Sequence, residues 1–181
     1  RIAIRPPAEV AFDPAQNTIA GNVILYGATG GEVYIGGLVG ERFAVRNSGG
    51  QAVVEGVGDH ACEYMTGGRV VILGRTGLNF AAGMSGGIAY VYDEDRRFDS
   101  RCNLDMVDLE LLEDPQDLAE VRRMLARHVH YTGSRKAERI LDEWPEAAAF
   151  FVKVFPMEYR RVLGRMTRED EATERQEVVH G

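Results

Sequence analysis

Cysteine is nearly absent: the 181 residues hold two, Cys62 and Cys102, forty positions apart and without a CxxC pair. A disulfide framework is excluded, and small buried thiols in a reducing, cytoplasmic compartment are the expectation. No apolar run approaches the roughly 20 residues a membrane helix needs. No signal peptide is expected from the opening Arg1-Ile2-Ala3-Ile4-Arg5-Pro6-Pro7, which has no initiator Met. Basic residues are outnumbered, 21 against 28 acidic, for a formal net charge of −7. That balance speaks against nucleic acid or an anionic membrane as a partner, since both select a basic footprint. Disorder is excluded from the other side, because 45% of the chain is hydrophobic.

Glycine is scarce outside one stretch and abundant within it. Of 21 glycines, 18 lie between Gly21 and Gly87. Charge is uneven too. Residues 1–92 carry 6 basic and 7 acidic side chains, and residues 93–181 carry 15 and 21. Two differently built segments therefore meet near Asp93.

The glycine-rich stretch repeats. A hydroxyl residue followed by Gly-Gly occurs at Thr29-Gly30-Gly31, Ser48-Gly49-Gly50, Thr66-Gly67-Gly68 and Ser85-Gly86-Gly87, so the second glycines are spaced by 19, 18 and 19. Two places on stand Val33, Ala52, Val70 and Ala89. Four places on stand Ile35, Val54, Ile72 and Val91. The positions between vary: Glu32, Gln51, Arg69 and Ile88, then Tyr34, Val53, Val71 and Tyr90. This is a period-2 strand with one strictly apolar face, closed by glycine.

A unit of about 19 residues cannot bury its own apolar face, but stacked on its neighbours it builds a continuous core. The expected fold is an all-β solenoid, a parallel β-helix, with glycine at corners a Cβ would forbid. Five coils about 4.8 Å apart would stand roughly 24 Å tall. The aliphatic-every-six pattern of left-handed hexapeptide helices is missing, and parallel crossovers otherwise prefer the right hand. A right-handed helix is the expectation. Arg1-Ile2-Ala3-Ile4 falls in the same register, as if the chain began just after a corner, and further coils are expected before it.

Beyond Asp93 the pattern changes. Val107-Asp108-Leu109-Glu110-Leu111 reads as a last strand. Asp114 and Pro115 then open a helix with a Leu118, Val121, Leu125, Val129 stripe, which Gly133 closes. Ser134 caps a second helix carrying Ala137, Ile140, Leu141 and Trp144, which stops at Pro145. Phe150 to Phe155 is a dense apolar patch, Met157 to Leu163 a short helical candidate, and Thr167 to Gly181 a charged tail. The division is a β-helix over 1–112 and a helical segment with tail over 113–181, its helices capping the open end of the solenoid.

Chemistry-bearing patterns are few. Gly56-Val57-Gly58-Asp59-His60-Ala61 matches a dinucleotide fingerprint, but Gly67-Gly68 leaves no room for the required helix and position 78 is leucine rather than an acid. Asp93-x-Asp95 lacks the glycine and terminal glutamate of a calcium loop. His128-x-His130 reads as cations near a helix C-terminus, and His60 with Asp59 and Cys62 as packed coil residues. No catalytic, cofactor-binding or metal-ligating residue is assigned.

The chain resembles the C-terminal Gly-x-Gly-x-Gly β-helix domain of the glutamate synthase large subunit. The likeness is carried by Gly40-Glu41-Arg42-Phe43-Ala44-Val45-Arg46-Asn47-Ser48-Gly49, Val53 to His60, Cys62-Glu63-Tyr64-Met65-Thr66-Gly67-Gly68 and Asn79 to Gly87. It continues through Arg101 to Val107, His130-Tyr131-Thr132-Gly133-Ser134 and Phe151 to Pro156. The resemblance implies a structural domain of an amidotransferase that makes two glutamates from glutamine and 2-oxoglutarate. It would hold together a glutaminase domain and a synthase domain bearing FMN and an iron–sulfur cluster, both bound elsewhere. Implied partners are those domains and, further, a small subunit. The alternatives are an independent β-solenoid enzyme or the β-helix subunit of a formylmethanofuran dehydrogenase-like complex.

Overall fold

The computed structural model describes residues 1–158, and the stretches assigned to a helix ending at Leu163 and to the charged tail run outside them. Five parallel strands follow the repeat: β1 (Ile2–Ile4), then, past the short β2 (Thr18–Ala20), β3 (Glu32–Val39), β4 (Ser48–Gly56), β5 (Thr66–Ile72) and β6 (Gly86–Tyr92). They make about four turns of solenoid. The register is the one the glycine spacing predicts. Glu32 pairs with Gln51, Gln51 with Arg69 and Arg69 with Ile88, while Ile35, Val54, Ile72 and Val91 form one column. At the start of the ladder, Ile2 pairs with Val33 and Ile4 with Ile35.

The corners explain the paired glycines. A Cβ on Gly49, Gly67 or Gly86 would overlap the carbonyl oxygen of Thr29, Ser48 or Thr66 on the previous coil. The second glycine turns left-handed at Gly31, Gly68 and Gly87, with φ of +90°, +86° and +76°. The corner at Gly49-Gly50 differs, because the buried Asn47 braces it: its Oδ1 accepts from Gly50 N at 2.8 Å and its Nδ2 donates to Gly50 O at 3.0 Å.

The inner column packs with Phe43, Ala61, Cys62, Met65, Phe80 and Met84 from the far side of each coil. The outer positions are not free to vary as their sequence suggests. Tyr34, Val53, Val71 and Tyr90 are buried at 2%, 0%, 0% and 0% exposure, beneath α1 (Pro115–Thr132) and α2 (Arg135–Asp142). The sheet is therefore apolar on both faces, as a covered parallel sheet must be.

Both helices have the caps read from sequence. Asp114 accepts from Gln116 N and Asp117 N, Gly133 ends α1 in the left-handed region, and Ser134 accepts from Ala137 N. Their position differs from the expected cap. They lie along the outer face of the sheet, where Val121, Met124, Leu125 and Ile140 supply its cover. The edge of β6 is instead closed by β8 (Phe151–Pro156), antiparallel to it, with β7 (Val107–Leu111) beyond. An open strand edge needs backbone partners, which a strand supplies and a helix cannot. β8 belongs to the second segment and completes the sheet of the first.

Candidate functional site

Polar side chains fasten the helices to the sheet. Tyr90 donates to Asp117 Oδ1 at 2.6 Å and Lys153 to Oδ2 at 2.5 Å. Burial, reinforced by that carboxylate, pushes the Tyr90 phenol above its usual range. Arg127 NH1 lies 2.7 Å from Glu32 Oε1, and Arg69 Nε lies 3.2 Å from Glu120 Oε2. The Arg1 side chain also donates to Glu32, and together with Arg127 it holds that carboxyl below the usual range.

A second buried cluster joins β4 to the α1–α2 junction. Glu55 (3% exposed) accepts from Ser134 Oγ, and His128 Nε2 stands 3.6 Å from Glu55 Oε1. Neither ring nitrogen of His128 has a hydrogen bond. Burial pushes the imidazole below its ordinary range, with Glu55 pulling the other way. The helix-end cation inferred from sequence is thus a neutral core ring at His128, whereas His130 is exposed and stacks edge-on against Tyr131. A serine, a glutamate and a histidine meet here, but the serine hydroxyl is committed to the carboxylate and to capping α2. Glu55, Thr76 and Lys136 also line a cavity of about 270 Å³, in which the Thr76 hydroxyl is unpaired.

The remaining candidates are placed as follows. Asp59, His60 and Cys62 do not lie on a strand. They belong to an arc in which His60 and Cys62 hold φ of +64° and +59°. His60 Nδ1 sits 2.7 Å from Glu63, while Cys62 is sealed and its thiol pushed up by burial. The Cys102 thiol is pushed up to about 12 by the same cause. Gly56 and Gly58 are coil corners, pressed against the Leu38 side chain and the Gly40–Glu41 backbone. Asp93 Oδ1 accepts from the Arg97 and Phe98 amides, and Asp95 pairs with Arg101 at 2.8 Å. Among the described residues no group of three or more His, Cys, Asp and Glu side chains could hold a metal ion.

One surface was not anticipated. On the arc side of the coils, an open groove of about 710 Å³ is lined by Tyr26, Arg42, Arg46, His60 and Tyr64 among others. Its only signal in the sequence is an offset: Arg42 and Arg46, like His60 and Tyr64, stand four apart at matching positions of successive coils.

The sequence profile of the GXGXG motif matches residues 1–157, the whole of the solenoid, both helices and the closing strands. The chain belongs to the GXGXG family. This GXGXG domain is 56% identical over 175 residues to the glutamate synthase [NADH] of Schizosaccharomyces pombe, covering 97% of the chain and 8% of that protein. It is 56% identical over 157 residues to the glutamate synthase [NADPH] large chain of Bacillus subtilis, 86% of the chain and 10% of that protein. Over 155 residues it is 50% identical to the ferredoxin-dependent glutamate synthase of Cyanidium caldarium, again 86% and 10%. The GXGXG domain thus spans about a tenth of the length of the curated relatives it matches. Among the described residues no helix is long and apolar enough to cross a membrane.

Proposed function

We propose that this chain is the GXGXG domain of a glutamate synthase large chain and that its role there is architectural. It is a rigid platform that holds the glutaminase and synthase domains at a fixed separation, and it performs no chemistry itself. The observation that carries this reading is where the polar groups go. Asp59, Asn47, Asp93, Asp117 and Ser134 each hold a backbone amide or a neighbouring side chain, so they serve the fold.

The cofactors of the parent enzyme do not fit here. An iron–sulfur cluster takes about four thiolates, and the chain has two cysteines. At Gly49, Gly67 and Gly86 a carbonyl oxygen of the adjacent coil stands where a flavin phosphate would need an amide donor. These features support the reading that FMN and the cluster are bound by other parts of the polypeptide. The relatives carry names specifying NADH, NADPH and ferredoxin at 50–56% identity to this segment. That likeness across three named donors supports a donor site elsewhere in the polypeptide. The two free thiols agree with a reducing cytoplasm.

The purified chain is expected to show neither glutamine hydrolysis nor a flavin spectrum, and either would overturn the reading. In the full-length polypeptide, replacing the segment by a flexible linker should leave glutamine hydrolysis measurable while uncoupling it from glutamate formation.

A further inference from the structure

The groove on the arc side is built from strained, rigid backbone. Arg42 and Arg46 hold φ of +58° and +55°, and His60 and Tyr64 hold +64° and +52°. Left-handed backbone is unfavourable for residues that carry a Cβ, so the surrounding bonds must hold them in place. They do: Arg42 N donates to Asp59 O at 2.8 Å, Arg46 N to Glu63 O at 2.9 Å and Tyr64 N to Ala82 O at 2.9 Å. The Tyr64 ring lies against Gly83, where a Cβ would collide with it, yet 59% of the residue is exposed, as is 52% of Tyr26. His60 Nδ1 lies 2.7 Å from Glu63, a carboxylate that also lines the groove, whereas the Arg42 and Arg46 side chains are exposed and have no ion-pair partner among the described residues. The result is a cationic, aromatic patch on a chain of net charge −7. Arginine and tyrosine on a preorganised frame are the residue types that dominate protein interfaces, and fixed geometry lowers the entropy cost of docking.

We propose that this groove is the surface on which the platform seats a carboxylate-rich segment of the same polypeptide outside this chain, with Arg42 and Arg46 pairing its acids and Tyr26 and Tyr64 packing its stems. The inference rests on the scaffold reading and names the face and the chemistry that reading leaves open.

The test is made in the full-length polypeptide. Arg46→Lys supplies an amine that a zero-length carbodiimide joins to a carboxylate in contact. Mass spectrometry is expected to find position 46 coupled to an Asp or Glu outside residues 1–181. The double reversal Arg42→Glu with Arg46→Glu should speed hydrogen exchange in peptides 41–47 and 60–66 while the far-UV spectrum of the protein stays unchanged. Unchanged exchange in the reversed protein overturns the proposal, as does coupling confined to residues 1–181. Protection that vanishes on nuclease treatment also overturns it, since the occupant would then be a nucleic acid. If exchange is unchanged but the linker replacement still uncouples the enzyme, the domains dock through another face and only this inference falls. If the linker replacement leaves coupling intact, the scaffold reading itself falls.

Discussion

The two sides of each coil share one period and almost nothing else. On the sheet side, β3 to β6 run in extended backbone, covered inside by the core and outside by α1 and α2. On the arc side the backbone alternates. Residues 23, 25 and 27, then 42, 44 and 46, then 60, 62 and 64, then 79, 81 and 83 all have φ between +52° and +67°. Of these twelve only Gly27 and Gly83 are glycine. Their amides bond to coils on either side: Arg42 N and Arg46 N reach forward to Asp59 O and Glu63 O, while Ala44 N reaches back to Ile24 O. The comparison teaches that a common repeat length fixes stacking, not conformation. One side gains its stability from burial; the other holds an unfavourable backbone in place by bonds between coils, and leaves its outer surface bare.

The largest test of this contrast lies at the sheet. Ile72→Asp puts an unpaired charge among Val54 and Val91 in the sealed column, a cost above ~5 kcal/mol that rivals the whole stability of a domain. The chain should fail to fold, and a thermal melt like the parent's would break the register described above. Next comes the corner between the two sides. Gly67→Ala drives a methyl into the Ser48 carbonyl, and overpacking of about 3 kcal/mol is expected. Gly30→Ala, with open space around it, should be nearly silent in the same denaturant titration.

A smaller effect tests the helix cover. His128 is buried with its folded pKa depressed. Below about pH 6.5 the unfolded imidazole takes a proton that the folded one refuses. Stability is then complete above that pH and lost as pH falls towards the folded value, by up to about 1.4 kcal/mol per pH unit. Urea melts between pH 7.5 and 5.5 should show that slope, and His128→Gln should flatten it. The smallest effect is the most discriminating in sign. Arg42→Gly relieves left-handed backbone and should leave the arc unchanged or up to ~1 kcal/mol more stable. Gln51→Gly, in extended β4, should cost ~0.5–1 kcal/mol. Equal shifts in melting temperature would erase the distinction between the two sides.

What the residues disclosed divides along the same line. Coil register was readable because glycine must stand at Gly67 and Gly86, and because β-branched residues recur two and four places after each pair. The helix limits were readable at Asp114, Pro115, Gly133 and Ser134, where capping is local chemistry. The second core was not. Tyr34, Val53, Val71 and Tyr90 share only size and apolarity, and nothing local says that α1 will cover them. In the sequence β8 shows only as a dense apolar patch, since pairing direction is settled by an edge some sixty residues earlier in the chain. Nor does one residue type mark the arc. Gly27, Gly83, Asn79 and His60 favour the left-handed region, but arginine, alanine, valine, leucine, cysteine and tyrosine do not, and there it is the neighbouring coils that impose it. The Glu55–Ser134 bond joins residues 79 apart in sequence and leaves no periodic trace.

The alternation in the arcs also governs how such a molecule can change size. Adding or removing one residue between positions 42 and 46 would shift every following amide onto the wrong neighbour and turn inward side chains out. Changes in the number of stacked strands come as whole coils of 18 or 19 residues. The solenoid therefore has a quantised height, adjustable in steps of about 4.8 Å, and an engineer who wished to lengthen it would have to duplicate a complete unit, corner to corner.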